Sequence, residues 1–217
     1  MFPKLILLDF DGVIIESVGI KDEAFEKLYQ NYPKHLPQIM EYHLSHNATI
    51  RFIKFRYIAE NILNEPYSAK KELELSQKFS DLVFDRIVEC PFVEGAIEFL
   101  EYFFAKVPLY LISMSPEDEL LNVLKLRGLN KYFKQVYSNP VTKSQVFRKI
   151  LADEQLDVSE VLYIGDTPED YQAALKVGIH FIGRKSKKEF PQEVTHVCSN
   201  MVEVKNLVHF LGHIEFF

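Results

Sequence analysis

Asp9-Phe10-Asp11-Gly12-Val13 follows an unbroken apolar run, Leu5-Ile6-Leu7-Leu8. Side chains alternate in an extended chain, so Asp9 and Asp11 share one side, and Gly12 lets the backbone turn sharply away. A second acidic group, Gly165-Asp166-Thr167-Pro168-Glu169-Asp170, follows the run Val161-Leu162-Tyr163-Ile164. Asp166 stands at the end of that run, and Asp170 comes one turn later if a helix starts near Pro168. A third run, Leu109-Tyr110-Leu111-Ile112, ends at Ser113. Any single aspartate at a strand end can simply cap the next helix. Several in one crevice repel each other and require a bound cation or a lysine between them. Hard oxygen donors of this kind favour Mg²⁺, which takes one or two carboxylates together with waters and phosphate. Lys143 is the candidate counter-charge, at the start of a predicted helix Thr142–Leu151 and just after a predicted strand Val136–Ser138. A first-turn lysine opposes the positive end of the helix dipole. It is therefore either a solvated surface group or one turned into the acidic crevice to neutralise Asp9 and a phosphoryl group.

These residues need elements that bring them together. The three runs are short and do not alternate with polar residues, which suits strands buried on both faces of a parallel sheet. Each is followed by a helical stretch, so the pattern predicts βαβ units and an α/β, doubly wound sheet with helices on both faces. In such sheets the ligand crevice lies beyond the carboxyl ends of the strands. Residues 17–89 read differently: Ala24, Phe25 and Leu28, then Ile50, Ile53 and Tyr57, then Leu75, Phe79, Leu82 and Val83 recur at helical spacing. Pro33, Pro37 and Pro66 punctuate this stretch where helices start or stop. It is far longer than a crossover requires. We read it as an all-helical insertion, with residues 1–16 and 90–217 forming the α/β core. Further on, Gly178 reads as a helix stop before a strand Ile179–Ile182. Val194–Cys198 reads as another strand and Val202–Leu211 as a last amphipathic helix.

The chain has 217 residues, 47% hydrophobic and 26% charged, ordinary values for a globular protein. At about 150 residues per domain this is one domain, or one carrying a large insertion. A net charge of −6 argues against a nucleic-acid partner, which calls for a basic excess. Cys90 and Cys198 are too few for a disulfide framework and lack metal-ligand spacing. Asp9 and Asp11 interrupt the first apolar run, unlike a secretory signal, and no run approaches the roughly 18 apolar residues of a membrane span. The expectation is a soluble, cytoplasmic protein with no membrane partner, of unspecified oligomeric state.

Taken together, the motifs resemble those of the haloacid-dehalogenase (HAD) superfamily, in its phosphatase-like branch. Asp9-Phe10-Asp11-Gly12-Val13 is similar to the first signature, Ser113 to the second, Lys143 to the third and Gly165-Asp166-x-x-x-Asp170 to the fourth, in the family's order. The helical stretch lies where many members carry a helical cap. The resemblance implies that Asp9 is a nucleophile forming an aspartyl-phosphate, and that Asp11 is general acid and then general base. It implies Mg²⁺ held by Asp9, the backbone carbonyl of Asp11 and Asp166, with Ser113 and Lys143 on the phosphoryl oxygens. Asp170 either meets the metal through water or orients Lys143 or the waters. Asp11 points to phosphate esters, because relatives that cleave carbon–halogen bonds or phosphonates lack that aspartate. In the second signature Met114 follows Ser113, and Ser115 supplies the next hydroxyl.

The implied activity is Mg²⁺-dependent hydrolysis of a small phosphorylated metabolite. A phosphomutase on the same core is the alternative, although sugar phosphomutases carry a cap histidine near the position held here by Lys21. A binding module without turnover is a third reading. Within the insertion the segment from His46 to Tyr57 is the most distinctive. Arg51, Lys54 and Phe55 fall at i, i+3 and i+4, so the two cations share a face. They either recognise an anionic substrate or form a solvated charged face, and Lys21 has the same ambiguity. Phe52, Phe55 and Tyr57 read as core of the insertion. His35, His43, His46 and His180 show no ligand spacing and read as incidental.

Overall fold

Strand β1 (Leu5–Leu8) is followed by four helices, α1 (Val18–Leu28), α2 (Leu36–Ser45), α3 (Arg51–Tyr57) and α4 (Ala69–Glu89). Helices and strands then alternate as α5 (Ala96–Phe104), β2 (Leu109–Ile112), α6 (Glu117–Leu126), β3 (Gln135–Tyr137), α7 (Lys143–Glu154) and β4 (Val161–Gly165). The chain continues with α8 (Pro168–Leu175), β5 (His180–Arg184), β6 (Val197–Cys198) and α9 (Met201–His213). This computed structural model describes residues 3–46, 49–138 and 142–213. Met1 and Phe2, and Asn47 and Ala48 of the segment singled out above, lie outside the described residues. Two compact units result, one of Met1–Glu16 with Pro91–Phe217, the other of Ser17–Cys90. Among the described residues no helix is long and apolar enough to cross a membrane.

In the first unit all strands run parallel in the order β3-β2-β1-β4-β5-β6. Every side chain of β1, β2 and β4 is buried, as an unalternating apolar run requires once helices cover both faces. Each aliphatic side chain among them contributes about 1.5–3 kcal/mol by leaving water. The register sets Leu8 level with Leu111 and Ile164. The three strands therefore end together, and Asp9, Ser113 and Asp166 emerge at one edge of the sheet. Because β1 has β2 on one side and β4 on the other, this edge is the topological switch point, where α/β sheets bind ligands. Leu5, Leu7, Tyr110, Ile112, Val161 and Tyr163 pack in one layer with Val146, Phe147 and Ile150 of α7 and Ala174 of α8. By the same alternation Asp9 emerges on the α7 side.

Some boundaries differ from those read in the sequence. The last strand is two residues long, Val197–Cys198: Val194 is buried but outside the ladder. Helix α7 continues past Leu151 to Glu154 and stops at Gln155, which takes the left-handed conformation at φ 54°. Gly178, at φ 88°, supplies the left-handed residue that frees the chain from α8 to enter β5.

The second unit is all helical. Phe25 of α1 meets Phe55 of α3 and Phe79 of α4, with ring centroids 5.6 and 5.1 Å apart. Ser68 caps α4 by accepting the Lys71 amide at 3.2 Å. Helix α3 departs from its apolar pattern: Ile53 and Tyr57 are 55% and 42% exposed, whereas Lys54 is 4% exposed. A polar chain accounts for this. Lys54 Nζ lies 3.1 Å from His43 Nδ1, and His43 Nε2 lies 3.0 Å from Asp22 Oδ1. A buried cation is tolerable when paired in this way, so α3 turns Lys54 and Phe55 inward, and Tyr57 stacks on Tyr42 at 4.1 Å instead. His43 is thus not incidental; its ring also stacks on Phe25 at 3.9 Å.

Candidate active site

Asp9 continues β1 by one residue, its amide donating to Ile164 O at 3.0 Å. Its Oδ1 accepts the Phe10 amide at 2.8 Å, and its Oδ2 lies 2.8 Å from Lys143 Nζ. The chain then reverses at Gly12, at φ 72°. A Cβ there would come within 2.1 Å of Asp166 Oδ2, so glycine is required both for the turn and for the approach of the fourth motif's carboxylate. Arg184, at the end of β5, donates from Nη1 to Gly12 O at 3.1 Å and pairs with Glu16, which pins the turn carrying Asp11.

Lys143 opens α7, where Thr142 and Gln145 form a capping box. Its ammonium reaches Asp9 Oδ2, Asp170 Oδ1 at 2.6 Å and the Tyr163 hydroxyl at 2.9 Å. Asp170 sits in the first turn of α8 and is saturated by the protein. Its Oδ1 accepts from Lys143 and from the Tyr163 hydroxyl at 2.7 Å. Its Oδ2 accepts from the Asp166 amide at 3.3 Å, the Thr167 amide at 3.2 Å and the Thr167 hydroxyl at 2.8 Å. Thr167 in turn caps α8 by accepting the Asp170 amide. Gly165 makes room for this packing, since a Cβ there would lie 2.5 Å from that of Asp170. Ser113 is buried; its amide donates to Tyr137 O at 3.0 Å and its Oγ accepts the Ser115 amide at 3.2 Å. The backbone of Ser115, not its hydroxyl, supplies that contact.

The structure therefore gathers Asp9, Lys143, Asp166 and Asp170 into one buried cluster, with Ser113 on the neighbouring strand end. Arg51 and Lys54 belong to the helical unit: the Arg51 guanidinium lies 5.5 Å from both the Phe52 and Phe79 rings, and Lys54 is held by His43. Tyr163 and Thr167 were not read as site residues from the sequence. The available signal was a phenol inside a wholly buried strand, which must find a polar partner.

Three buried carboxylates face one ammonium, and the imbalance appears in their acidities. Burial lifts Asp9 to about 7; Lys143 opposes the shift, while Asp170 and Asp11 add to it. Burial, with Asp9 and Asp170 nearby, pushes Asp166 well up. Asp170 is the opposite case: burial is outweighed by Lys143, Tyr163 and Thr167, which hold its carboxyl below the usual range. Burial also works against the charge on Lys143, but Asp170 and Asp9 hold its proton more firmly than usual. The Tyr163 phenol is pushed far up by burial, then by Asp170 and Asp9, and keeps its proton. Oxygens of Asp9, Asp166 and Asp170 lie within 4.8 Å of one another. Two underneutralised carboxylates at that spacing, with only hard oxygen donors, fit a small divalent cation. Asp170, its lone pairs already taken, fits a place behind that pair.

Residues 6–184 match the model of the haloacid dehalogenase-like hydrolase family. A phosphoglycolate phosphatase from Photobacterium profundum is 25% identical over 192 residues, covering 83% of this chain and 82% of that protein. A structure described as a predicted phosphoglycolate phosphatase from Haemophilus somnus 129PT aligns with a TM-score of 0.77 at 13% identity, over 95% of this chain and 98% of its own. A HAD-hydrolase from Bacillus subtilis, bound to magnesium, aligns with a TM-score of 0.70 at 16% identity, over 96% and 99%. At such identities the two structures speak for the fold alone. The family match, by contrast, runs from β1 to the end of β5 and takes in the whole buried cluster; this chain belongs to the haloacid dehalogenase-like hydrolases.

Proposed function

We propose that this hydrolase cleaves the phosphate monoester of a small phosphorylated metabolite in a Mg²⁺-dependent reaction that passes through an aspartyl-phosphate. The observation that carries this reading is the Lys143 ammonium shared between Asp9 Oδ2 and Asp170 Oδ1, beside the second underneutralised carboxylate of Asp166. Asp9, the backbone carbonyl of Asp11 and Asp166 would hold Mg²⁺, whose charge lets a carboxylate and a phosphate approach each other. Asp9 attacks phosphorus, the ester P–O bond breaks, and Asp11 gives its proton to the departing alkoxide. Asp11 then takes a proton from water as that water attacks the aspartyl-phosphate, releasing inorganic phosphate and restoring Asp9. Ser113 and Lys143 hold the non-bridging oxygens, and Asp170 orients Lys143. The helical unit, Ser17–Cys90, serves as the cap, with Arg51 recognising the rest of an anionic substrate; Lys54, buried against His43, serves the core of that unit instead.

A panel of phosphorylated sugars, nucleotides and small acids, with phosphoglycolate first because of the Photobacterium relative, tests the reading. Free phosphate is the expected product. Asp9→Asn should lower turnover by on the order of 10³-fold or more with an unchanged circular-dichroism spectrum. Undiminished turnover in that variant would refute Asp9 as nucleophile, and an isomerised phosphate ester in place of free phosphate would favour a mutase.

A further inference from the structure

Tyr163 lies in the middle of β4, fully buried and level with Leu7 of β1. Its ring packs on Phe147 and Phe181, with centroids 4.7 and 5.9 Å away. Only its hydroxyl reaches the polar cluster, where it accepts from Lys143 Nζ at 2.9 Å and donates to Asp170 Oδ1 at 2.7 Å. An ammonium has three protons, and those of Lys143 go to Asp9, Asp170 and Tyr163. We infer that Tyr163 is a positioning residue that fixes Lys143 against the phosphoryl group, an assignment that rests on the hydrolase reading above.

The reason lies in what changes during turnover. When Asp9 becomes an acyl phosphate, its carboxyl loses its charge and the anionic phosphoryl group takes over as partner of Lys143, whereas Asp170 is unchanged. With carboxylates as its sole protein partners, the ammonium would be free to settle on Asp170 during that exchange instead of following the phosphoryl oxygens. The phenol resists this in two ways: it accepts one ammonium proton, and it donates to the same Asp170 oxygen that attracts Lys143. Its hold is unaltered whichever state Asp9 is in. A displacement of about 1 Å at such a contact can cost on the order of 100-fold in rate.

Tyr163→Phe removes the hydroxyl and keeps the ring. The expected result, with an aryl phosphate, is a kcat lower by about 10–100-fold and a much smaller change in KM. A second readout is independent of turnover: the ¹⁵Nζ ammonium resonance of Lys143, assigned by its absence in Lys143→Arg. It should be slowly exchanging in the wild type and broadened or lost in Tyr163→Phe. A kcat within about two-fold of wild type, or an ammonium resonance unaffected by the substitution, overturns the assignment. If the wild type released no phosphate from any ester, the hydrolase reading would fall, and the resonance alone would decide whether Tyr163 holds Lys143.

Discussion

Asp9 carries two opposing demands: it must be charged to attack, and it is buried, which favours the neutral acid. Its folded value of about 7 against an ordinary 3.8 means that between those pH values the native state binds more protons than the unfolded one. Through this group, raising the pH from about 4 to about 7 therefore lowers the stability of the metal-free protein. Asp170 acts in the other sense. Its carboxyl is held low, so its stabilising contribution is present above the unfolded value and is lost as the pH falls. A divalent cation that takes Asp9 and Asp166 as carboxylates must expel their protons. Titrating Mg²⁺ into the protein near pH 6.5 should release protons, seen as heats that differ between buffers of different ionisation enthalpy, and affinity should rise as the pH climbs through 7. Identical heats in all buffers would contradict the acidity assigned to Asp9.

Helix α8 shows how one element both ends a strand and builds the site. Thr167 at its N-cap and Asp170 in its first turn satisfy each other's amides, a reciprocal arrangement that Thr167-Pro168-Glu169-Asp170 already suggests. What the spacing does not show is that the second oxygen of Asp170 faces away from its own helix toward Lys143 of α7. The cap and the site are therefore mechanically joined. Thr167→Ala should cost about 0.5–2 kcal/mol in urea denaturation, and should reduce turnover more than a remote change of equal cost because Asp170 Oδ2 loses a donor. A stability unchanged from wild type would mean that the backbone alone holds the turn.

At the scale of the molecule, the proposed roles divide between the units. Changes in the sheet unit should act on kcat, and changes in the helical unit on KM. Arg51→Ala, which removes a guanidinium resting on Phe52 and Phe79, should raise KM several-fold at nearly constant kcat, as loss of uniform binding does. A fall in kcat alone would argue against a recognition role. The parallel sheet and its acidic edge were legible in the residues, because a buried parallel strand demands a continuous apolar run and parallel pairing aligns the strand ends. Leu5–Leu8, Leu109–Ile112 and Val161–Ile164 all obey that local rule. The outcome at α3 was not legible: periodicity favoured Ile53 and Tyr57, yet the helix buries Lys54 because His43 of α2, itself held by Asp22 of α1, meets it. The sequence offered Asp9 and Asp170 as partners of Lys143, each as one of two options, but the Tyr163 hydroxyl that completes the hold was not legible, since it comes from the interior of another strand. Strand runs and caps are properties of neighbours along the chain and are written in it. Polar partnerships across the core are set by which side chains the packing brings within about 3 Å, and only the folded structure decides them.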